Sequence, residues 1–403
     1  MTINNEHKKL NVPNLRFPEF EGEWEKCELG EFATIIGGYA FKSETLNSIG
    51  GKYQVVKMGN LYQNQLDLHR SPSYTDTLTR KAENVILRKD DIAITLTGTN
   101  NKRDFGYTYI FNDEKNLLLN QRCGLIRAKG NPYFLSCLLK THTFLNQFFE
   151  SATGGTGNQA NVSTKAMEMF SVNTPSLKEQ EKIGQLMALL DERIATQNKI
   201  IEDLKKLKVA IIEIEYTPNT KATSPIGDVI EQISKRNKNN AIQNVLSVSN
   251  RQGFIKQSDQ FENRNVASED TSNYKIVEQN DFAFNPARIN VGSIARLTTF
   301  EKGIVSPMYI CFRTQENVAP EYIDYFFESK HFYCEIQKRL EGSVRQCLPF
   351  EGLCNIPLSL PSFEMQQLIG KRLFTLEQKI KTETDLLELL NKQKQYLLRQ
   401  MFI

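Results

Sequence analysis

The chain repeats one long segment of its own sequence, and this duplication constrains the fold more than any other feature. Residues 175–216 align with residues 361–402 at an offset of 186 residues, without a gap. A repeat this long is not a solenoid unit, whose period is roughly 20 to 50 residues. We therefore predict two similar halves related by pseudo-two-fold symmetry, an arrangement that suits a target with two halves. The identical pairs include Pro175 and Pro361, Gln180 and Gln366, Gly184 and Gly370, Leu190 and Leu376, and Lys208 and Lys394.

Each copy of the repeat predicts a long amphipathic helix. Apolar residues recur at alternating spacings of three and four, which is typical of a heptad seam. Pro175 and Pro361 precede the two predicted helices, and Pro218 ends the first. At about 38 residues, each helix would be ~57 Å long. The seam positions are Met187, Leu190, Ile194, Ile201, Leu204 and Ile211 in the first copy, and Leu373, Leu376, Ile380, Leu387, Leu390 and Leu397 in the second.

Two polar residues interrupt each seam at matching positions. They are Gln197 and Lys208 in the first helix, and Glu383 and Lys394 in the second. They are either ordinary imperfections or residues that fix the register and orientation of the partner helix. The sequence leaves both interpretations open.

The duplication also predicts the domain organisation. Short β-type stretches such as Tyr53–Met58 and Met308–Phe312 alternate with polar loops, and amphipathic runs follow Asn131 and Ala319. The predicted fold class is α+β, with two similar mixed α/β domains, mostly antiparallel in their sheets. Two long helices packed as an antiparallel coiled coil separate them. The predicted segments are a first mixed domain at 1–176, a central spacer helix at 177–216, a second mixed domain at 217–361 and a C-terminal spacer helix at 362–403.

Composition narrows the class of protein. A length of 403 residues predicts two or three domains. The longest apolar runs are far shorter than the roughly 20 residues of a membrane helix, and no apolar stretch typical of a signal peptide begins the chain. Seven cysteines without a C-x-x-C pair, and only four histidines, predict reduced thiols in a cytoplasmic protein and no zinc site.

The charge balance is unusual for a protein that grips duplex DNA alone. The formal net charge is only +3, whereas such proteins are usually strongly basic. Either the chain does not bind nucleic acid, or a partner supplies much of the contact with the phosphates.

Catalytic motifs are incomplete. Gly37–Ser43 superficially resembles a phosphate-binding loop, but Phe41 stands where a Walker A loop needs glycine before Lys42. The segment is either an extended turn that presents Lys42 and Ser43 to a phosphate backbone or a plain surface turn. Asn131-Pro132-Tyr133-Phe134 and Asn285-Pro286-Ala287-Arg288 both lack the second proline of the N-P-P-Y motif of amino-methylating enzymes. We therefore predict a non-catalytic chain without a cofactor.

Polar loops in both domains carry the side chains that distinguish bases. Arginine recognises guanine and asparagine or glutamine recognises adenine through paired hydrogen bonds. A single such loop is usually only a solvated loop, but recurrence in both domains makes the set stronger than its members. The residues predicted to contact DNA are Lys42, Ser43, Thr99, Asn100, Asn101, Lys102, Arg103, Gln121, Arg122, Asn158 and Gln159 in the first domain, and Lys235, Arg236, Asn250, Arg251, Asn285, Arg288, Asn290, Ser343, Arg345 and Gln346 in the second.

The chain resembles the specificity subunit of type I restriction–modification enzymes over essentially its whole length. The resemblance rests on the alternation of domain and long helix and on local phrases. These are Pro13–Pro18 with Trp24, Gly38–Ser43, Asn285–Ile294 and the openings of the repeat at Pro175 and Pro361.

The resemblance implies that each mixed domain is a target-recognition domain for one half of a split DNA sequence. It also implies that the helices set the spacing between half-sites and dock two methyltransferase subunits, and that restriction subunits complete the nuclease. S-adenosylmethionine, ATP and Mg²⁺ are then expected on the partner subunits, with no membrane association. The residues predicted for the subunit interface are Leu190, Ile194, Ile201, Leu204, Leu376, Ile380, Leu387 and Leu390.

Two other classes of function are weighed against this one. An autonomous adenine methyltransferase would have to work with a degenerate form of the N-P-P-Y motif, which lacks its second proline here. A coiled-coil interaction protein without DNA binding would leave the paired polar loops unexplained. Binding of S-adenosylmethionine by the isolated chain would favour the first alternative. Failure to bind duplex DNA, even with methyltransferase subunits present, would favour the second.

Overall fold

The computed structural model describes residues 11–154, 159–217, 223–250, 252–260, 270–342 and 346–403. The chain forms two compact units. Unit 1 comprises Met1–Gln197 with Leu386–Ile403, and unit 2 comprises Asn198–Asp385. Each unit therefore combines one mixed module with parts of both long helices.

In unit 1 the described residues form short strands around a four-stranded antiparallel sheet in the order β2-β11-β7-β9. A second, three-stranded sheet has the order β10-β3-β6, in which β10 and β3 are parallel. The strands are β1 (Glu25–Glu28), β2 (Ala33–Gly37), β3 (Tyr53–Val56), β4 (Leu61–Tyr62), β5 (Gln65–Leu66), β6 (Tyr74–Thr75), β7 (Ile92–Thr95), β8 (Thr97–Thr99), β9 (Thr108–Ile110), β10 (Leu117–Leu119), β11 (Cys123–Ala128), β12 (Thr153–Gly154), β13 (Gln159–Asn161) and β14 (Ser171–Thr174).

Unit 2 repeats this plan. Its four-stranded antiparallel sheet has the order β16-β23-β20-β21, and a second sheet has the order β18-β17-β22-β19, in which β17 and β22 are parallel. The described strands are β15 (Thr223–Pro225), β16 (Ile230–Ile233), β17 (Val245–Ser249), β18 (Gly253–Lys256), β19 (Lys275–Glu278), β20 (Phe282–Phe284), β21 (Ile294–Arg296), β22 (Lys302–Val305), β23 (Ile310–Thr314) and β24 (Pro357–Ser359).

Four helices of the first half have a counterpart in the second, α2 with α7, α3 with α8, α4 with α9 and α5 with α10, and the last pair is very long. The predicted spacer helices are α5 and α10, and their bounds agree closely with the repeat. The helices are α1 (Leu29–Phe32), α2 (Pro132–Leu138), α3 (His142–Glu150), α4 (Thr164–Glu168), α5 (Leu177–Tyr216), α6 (Gln257–Gln260), α7 (Pro320–Phe326), α8 (Lys330–Arg339), α9 (Phe350–Cys354) and α10 (Phe363–Gln400). Among the described residues, no helix has both the length and the apolar character needed to cross a bilayer.

The amphipathic runs after Asn131 and Ala319 each divide into two helices. Thr141 accepts a hydrogen bond from the Phe144 amide and thereby caps α3, and Ser329 caps α8 through Phe332 in the same way. A capping hydroxyl satisfies an otherwise unpaired amide of the first turn. The run of apolar residues is therefore interrupted by a new helix start in both units.

Each unit has its own apolar core. In unit 1, Trp24, Phe134 and Phe402 pack together, with ring centroids 5.1 Å apart for Phe134 and Phe402 and 5.8 Å apart for Trp24 and Phe134. Phe402 lies just beyond the end of α10, so residues that follow this helix contribute to the core of unit 1. In unit 2, Phe282 and Phe312 stack at 5.1 Å inside the sheet.

A repeated glutamine joins each module to its long helix. In unit 1, the buried Gln180 accepts a hydrogen bond from the Asn131 amide at 3.1 Å and donates to the Pro175 carbonyl at 2.9 Å. In unit 2, Gln366 accepts from the Ala319 amide at 3.0 Å and donates to the Pro361 carbonyl at 2.9 Å. Both glutamines belong to the repeat, so the sequence duplication preserves this junction.

A repeated glycine lets the same helices approach closely. A Cβ atom added to Gly184 would lie 2.4 Å from Asn131 Oδ1, and one added to Gly370 would lie 2.7 Å from Glu321 Cβ. Real Cβ atoms do not approach other atoms so closely, because interiors are packed to contact distance. Glycine at these positions is therefore required by packing rather than by backbone conformation.

The two long helices are antiparallel, and a matching ion pair joins them in each unit. Lys394 of α10 pairs with Asp191 of α5 in unit 1, and Lys208 of α5 pairs with Glu377 of α10 at 2.5 Å in unit 2. Tyrosine hydroxyls from α2 and α7 donate to the same two carboxylates, Tyr133 to Asp191 at 2.5 Å and Tyr325 to Glu377 at 2.9 Å. The lysines that interrupt the heptad seams are thus cross-helix ion-pair partners.

The other two polar interruptions are also enclosed. Gln197 is 4% exposed and Glu383 is 9% exposed. Glu383 forms an ion pair with Lys379, one turn earlier in α10. The predicted α+β class with two mixed domains and two long antiparallel helices is confirmed.

Replacement of Gly184 by alanine should destabilise the protein. Alanine normally favours a helix over glycine by about 1 kcal/mol, but here its methyl group would displace Asn131, whose Oδ1 caps α2 through the Phe134 amide. Overpacking costs about 1–3 kcal/mol, so we expect a net loss and a lower urea midpoint. The exposed neighbour Gln185 provides the control, since Gln185→Ala should leave the midpoint nearly unchanged. An unchanged or higher midpoint for Gly184→Ala would contradict the close packing of α5 on α2.

Candidate nucleic-acid interface

The candidate residues of unit 1 leave the same edge of its four-stranded sheet. The register pairs Gly37 at the end of β2 with Gly124 near the start of β11, and Thr95 at the end of β7 with Cys123. Thr108 at the start of β9 pairs with Ile94 of β7. The loops after β2, after β7 and before β11 therefore emerge side by side, although their positions along the chain are far apart.

Backbone contacts hold the loop after β2 against the segment before β11. The Gly38 amide donates to the Cys123 carbonyl and the Tyr39 amide to the Leu119 carbonyl, both at 2.9 Å. A Cβ atom at Gly38 would lie 2.0 Å from the Asn120 carbonyl oxygen, so only glycine allows this contact.

The chain beyond Gly38 presents the first candidate cation. Lys42 and Ser43 follow it and are exposed. Lys42 Nζ lies 3.6 Å from Glu44 Oε1, with both side chains at least three-quarters exposed. Such an exposed pair is weak, so Lys42 can still face an anion.

The loop after β7 forms a small sheet with the segment before α4. Thr99 of β8 pairs with Gln159 of β13, and the Thr99 amide donates to Asp104 Oδ1 at 2.6 Å. The Arg103 guanidinium lies over the Phe149 ring at 5.0 Å, which orients this cation. Asn101 and Lys102 are exposed between these two fixed points.

Gln121 and Arg122 form the adjacent turn. Both side chains are exposed, and the Arg122 carbonyl accepts a hydrogen bond from the Leu96 amide at 2.9 Å. This contact places the turn directly against the start of β8. Asn158 lies outside the described residues, as does the side chain of Asn100.

Unit 2 uses the equivalent edge of its own sheet. The register pairs Ile233 at the end of β16 with Cys311 of β23, and Phe284 at the end of β20 with both Ile310 and Ile294. Lys235 and Arg236 therefore emerge beside the 285–293 loop.

Lys235 and Arg236 line an open basic cavity. The cavity has a volume of about 740 Å³, and Lys238 and Lys302 also contribute to its wall. Arg236 donates to Asn273 Oδ1 at 2.8 Å, while Lys302 pairs with Glu278 at 2.9 Å. Lys235 and Lys238 are exposed. The cavity is thus a concave surface with excess positive charge.

Asn285, which is also predicted to contact DNA, exposes little of its side chain at this edge. It is only 6% exposed, and its Oδ1 accepts a hydrogen bond from the Ala287 amide at 3.1 Å. The side chain therefore shapes the loop from within. Arg288 is exposed at the same loop, Asn290 is half-buried, and Ile289 anchors the loop in the core.

Two further segments meet this loop. A Cβ atom at Gly292 would lie 3.7 Å from Asn250 Cβ, which places the exposed Asn250 against the loop. The Leu348 amide donates to the Pro286 carbonyl at 3.0 Å, which brings the exposed Gln346 to the same region. Arg251, Ser343 and Arg345 lie outside the described residues.

Two of the seam residues predicted for the subunit interface are buried inside the chain. Leu190 and Ile201 are 9% and 6% exposed, so they are not available to another subunit. The half-buried members of the predicted set are Ile194, Leu204, Leu376, Ile380, Leu387 and Leu390.

Sequence reasoning missed a hairpin and a methionine at these edges. Tyr62 of β4 lies against Tyr107 with ring centroids 5.4 Å apart, and Asn64 Oδ1 accepts a hydrogen bond from the Thr108 amide at 2.8 Å. Burial, with nearby Tyr62 and Asp104, raises the pKa of Tyr107, so its hydroxyl stays protonated at neutral pH.

In unit 2, Met308 is 53% exposed just before β23, where unit 1 has Gln121 and Arg122. Alignment of the two modules strand by strand would have revealed both.

The described residues contain no group of three or more histidine, cysteine or acidic side chains that could hold a metal ion.

Comparison with known proteins identifies the family of the chain. A family model described as the type I restriction modification DNA specificity domain matches residues 21–206 and 218–392. The putative type I restriction enzyme MjaX specificity subunit of Methanocaldococcus jannaschii is 22% identical, over 96% of this chain and 93% of that protein. The type I restriction enzyme EcoAI specificity subunit of Escherichia coli is 28% identical over 51% of this chain, an alignment that spans 33% of the relative's length.

Among solved structures, the S subunit of a type I restriction-modification system from M. genitalium has a TM-score of 0.62 at 15% identity. That alignment covers 97% of this chain and 99% of the other. At this identity the likeness concerns the fold alone.

Proposed function

The chain belongs to the family of type I restriction–modification DNA specificity domains, and from this membership we propose that each unit recognises one half of a bipartite DNA site. The protein then acts as the specificity subunit of the enzyme. The proposed target-recognition domains are residues 1–176 and 217–361, with the spacer helices at 177–216 and 362–403.

The observation that carries the proposal is the convergence of base-discriminating side chains on one sheet edge in both units. Arg122, Gln121 and Gln159 share this edge in unit 1, and Arg288, Asn250 and Gln346 share it in unit 2. Such side chains distinguish base pairs by paired hydrogen bonds in the major groove. Lysines of the same loops, such as Lys42 and Lys235, are suited to phosphate contacts that position the protein without specifying sequence.

The two half-sites are proposed to differ. The framework of the sheets is the same in both units, but the edges carry different side chains, with a Thr99–Arg103 loop in unit 1 and an Asn285–Ser293 loop in unit 2. Different patterns of donors and acceptors select different base pairs. The site is therefore proposed to be asymmetric.

Catalysis is assigned to partner subunits. We expect methyltransferase subunits to carry S-adenosylmethionine, and restriction subunits to carry ATP and Mg²⁺. A net charge of only +3 agrees with a complex in which these partners supply part of the grip on the phosphates.

Exposed apolar residues on the long helices offer places for two copies of a partner. Ile200, Leu207 and Ile214 recur every seven residues on α5 and are 39%, 49% and 76% exposed. On α10, Leu389 and Tyr396 are 60% and 58% exposed at the same spacing. Exposed apolar stripes of this kind mark interaction surfaces. We assign the α5 stripe in unit 2 and the α10 stripe in unit 1 to methyltransferase subunits.

Alanine substitution of one edge arginine should affect one half-site. In the complex assembled with methyltransferase subunits, Arg122→Ala and Arg288→Ala should each cost about 1–3 kcal/mol of binding if the arginine contacts a base. Specificity should relax only in the half-site of the altered unit. Competition binding with duplexes changed in one half measures both effects.

The matched control is Arg88→Ala, because Arg88 is exposed in the turn before β7, at the opposite end of that strand from the candidate loops. Uniformly weaker binding to all sequences, with a smaller salt dependence, would identify a phosphate contact instead. Unchanged DNA binding by both edge variants would contradict the proposal.

A charge in the α5 stripe should release a methyltransferase subunit. Leu207→Glu should weaken assembly, because a carboxylate would be buried in an apolar interface. The free chain should remain folded, since Leu207 is half-exposed. Mass measurement of the complex checks this, with the exposed Lys205→Glu as control. Normal assembly of Leu207→Glu would exclude this stripe as a docking surface.

The helices are proposed to set the spacer between half-sites. Insertion of one heptad into both helices, between Gln197 and Asn198 and between Asp385 and Leu386, preserves the heptad pattern. It lengthens each helix by ~10 Å, or about three base pairs at ~3.4 Å each. Methylome sequencing should show a longer spacer with both half-sites unchanged. A retained spacer in an active variant would contradict this role.

A further inference from the structure

The β4–β5 hairpin of unit 1 is an exposed element that the candidate residues did not include. Leu61 pairs with Leu66 and Tyr62 with Gln65, which leaves a two-residue turn. The turn residues are Gln63 and Asn64, with φ of 50° and 62°. Two successive left-handed residues are typical of a type I′ turn, the tightest connection between antiparallel strands.

The base of the hairpin is anchored in the protein. Leu61 is only 1% exposed, and Leu66 packs against the same apolar cluster. The tip is different, because Gln63, Asn64 and Gln65 are exposed. Apolar side chains thus hold the strands, and polar side chains occupy the end that projects from the surface.

The tip is also held at the candidate edge of the sheet. Asn64 Oδ1 accepts a hydrogen bond at 2.8 Å from the amide of Thr108, the residue that begins β9. Tyr107, next to it, donates its amide to Thr95 Oγ1 at 3.0 Å, at the end of β7. The hairpin therefore lies beside the Thr99–Arg103 loop, which leaves the end of β7.

An ordered cation flanks the tip. The Arg70 guanidinium lies over the Tyr62 ring at 5.9 Å from its centroid. The backbone of Arg70 is fixed as well, since its carbonyl accepts from Asn60 Nδ2 at 2.7 Å. Gln63 and Arg70 therefore present a side-chain amide and a positive charge from a rigid base.

Unit 2 also has a turn at its candidate edge. In unit 1 the β4–β5 hairpin follows β3, which pairs in parallel with β10. In unit 2 the strand that pairs in parallel with a later strand is β17, and it is itself the first strand of a hairpin with β18. The turn after β17 contains Asn250, which meets the 285–293 loop at the edge. Both turns therefore lie at the candidate edge of their own unit.

From these contacts we propose that Gln63 contacts a base in the half-site recognised by unit 1, while Arg70 contacts the neighbouring phosphate backbone. The major groove admits a two-stranded β-ribbon, and a glutamine amide matches the donor and acceptor that adenine presents there. This inference rests on the proposed function, because it refines how one unit recognises its half-site.

The test uses Gln63→Gly in the complex assembled with methyltransferase subunits. Glycine adopts positive φ without strain, so the turn is kept and only the side chain is lost. Methylome sequencing should then show relaxed specificity at one base pair of the half-site that Arg122→Ala affects, with the other half-site unchanged. Binding to the original duplex should weaken roughly 5- to 150-fold.

Arg70→Ala should give a different result. It should weaken binding to all duplexes and lower the slope of log K against log salt by about one. Arg88→Ala and the exposed Gln185→Ala serve as matched controls and should leave both quantities unchanged.

Three outcomes would overturn the inference. If Gln63→Gly keeps full specificity and affinity while Arg122→Ala does not, the hairpin is not a base contact and the proposed function stands. If Gln63→Gly weakens all sequences equally, its contact is with the backbone. If neither Gln63→Gly nor Arg122→Ala changes binding, DNA recognition by this edge of unit 1 is itself rejected.

Discussion

The rest of the structure depends on the close packing of each module against its long helix. Gly184 and Gly370 remove the side chain where α5 meets α2 and α10 meets α7, and Gln180 and Gln366 bridge the backbones at the same junctions. A buried amide with both bonds satisfied stabilises modestly, but loss of one partner leaves a buried polar group at a cost of about 1–3 kcal/mol. These contacts fix the module on its helix within each unit.

The two units preserve their framework and differ at their edges. An aspartate and an arginine form the same bidentate pair in both, Asp91 with Arg127 and Asp281 with Arg313. At the helix junction, however, the two units differ in charge. Lys140 follows the C-cap of α2 in unit 1, and Glu328 follows the C-cap of α7 in unit 2. Lys208 therefore pairs with Glu328 at 2.7 Å in addition to Glu377. Its counterpart Lys394 cannot form the equivalent ion pair, because residue 140 is a lysine. Duplication supplied a common scaffold, while local charges diverged.

The proposed recognition by the sheet edges suits a constant framework with variable loops. In an antiparallel sheet, the end of one strand lies beside the start of its neighbour. Loops from distant parts of the chain therefore share one edge, while the Asp91 turn lies at the opposite end of β7. The scaffold can then stay constant while loop residues change, because loop side chains contribute little to the core. The β4–β5 hairpin would tolerate such a change of residue at Gln63, because Leu61 and Leu66 anchor its strands in the core.

The sequence by itself determined the duplication, the two long helices, their polar interruptions and the α+β class, because heptad spacing and capping act over short distances along the chain. It also supplied most of the edge residues by their chemistry. It did not show that Asn285 is buried, that Leu190 and Ile201 are occupied inside the chain, or that the Tyr62–Gln65 hairpin reaches the same edge. Those features depend on strand register between residues far apart in sequence. A shift of one residue would move every side chain to the other face of the sheet, and only tertiary packing fixes that choice.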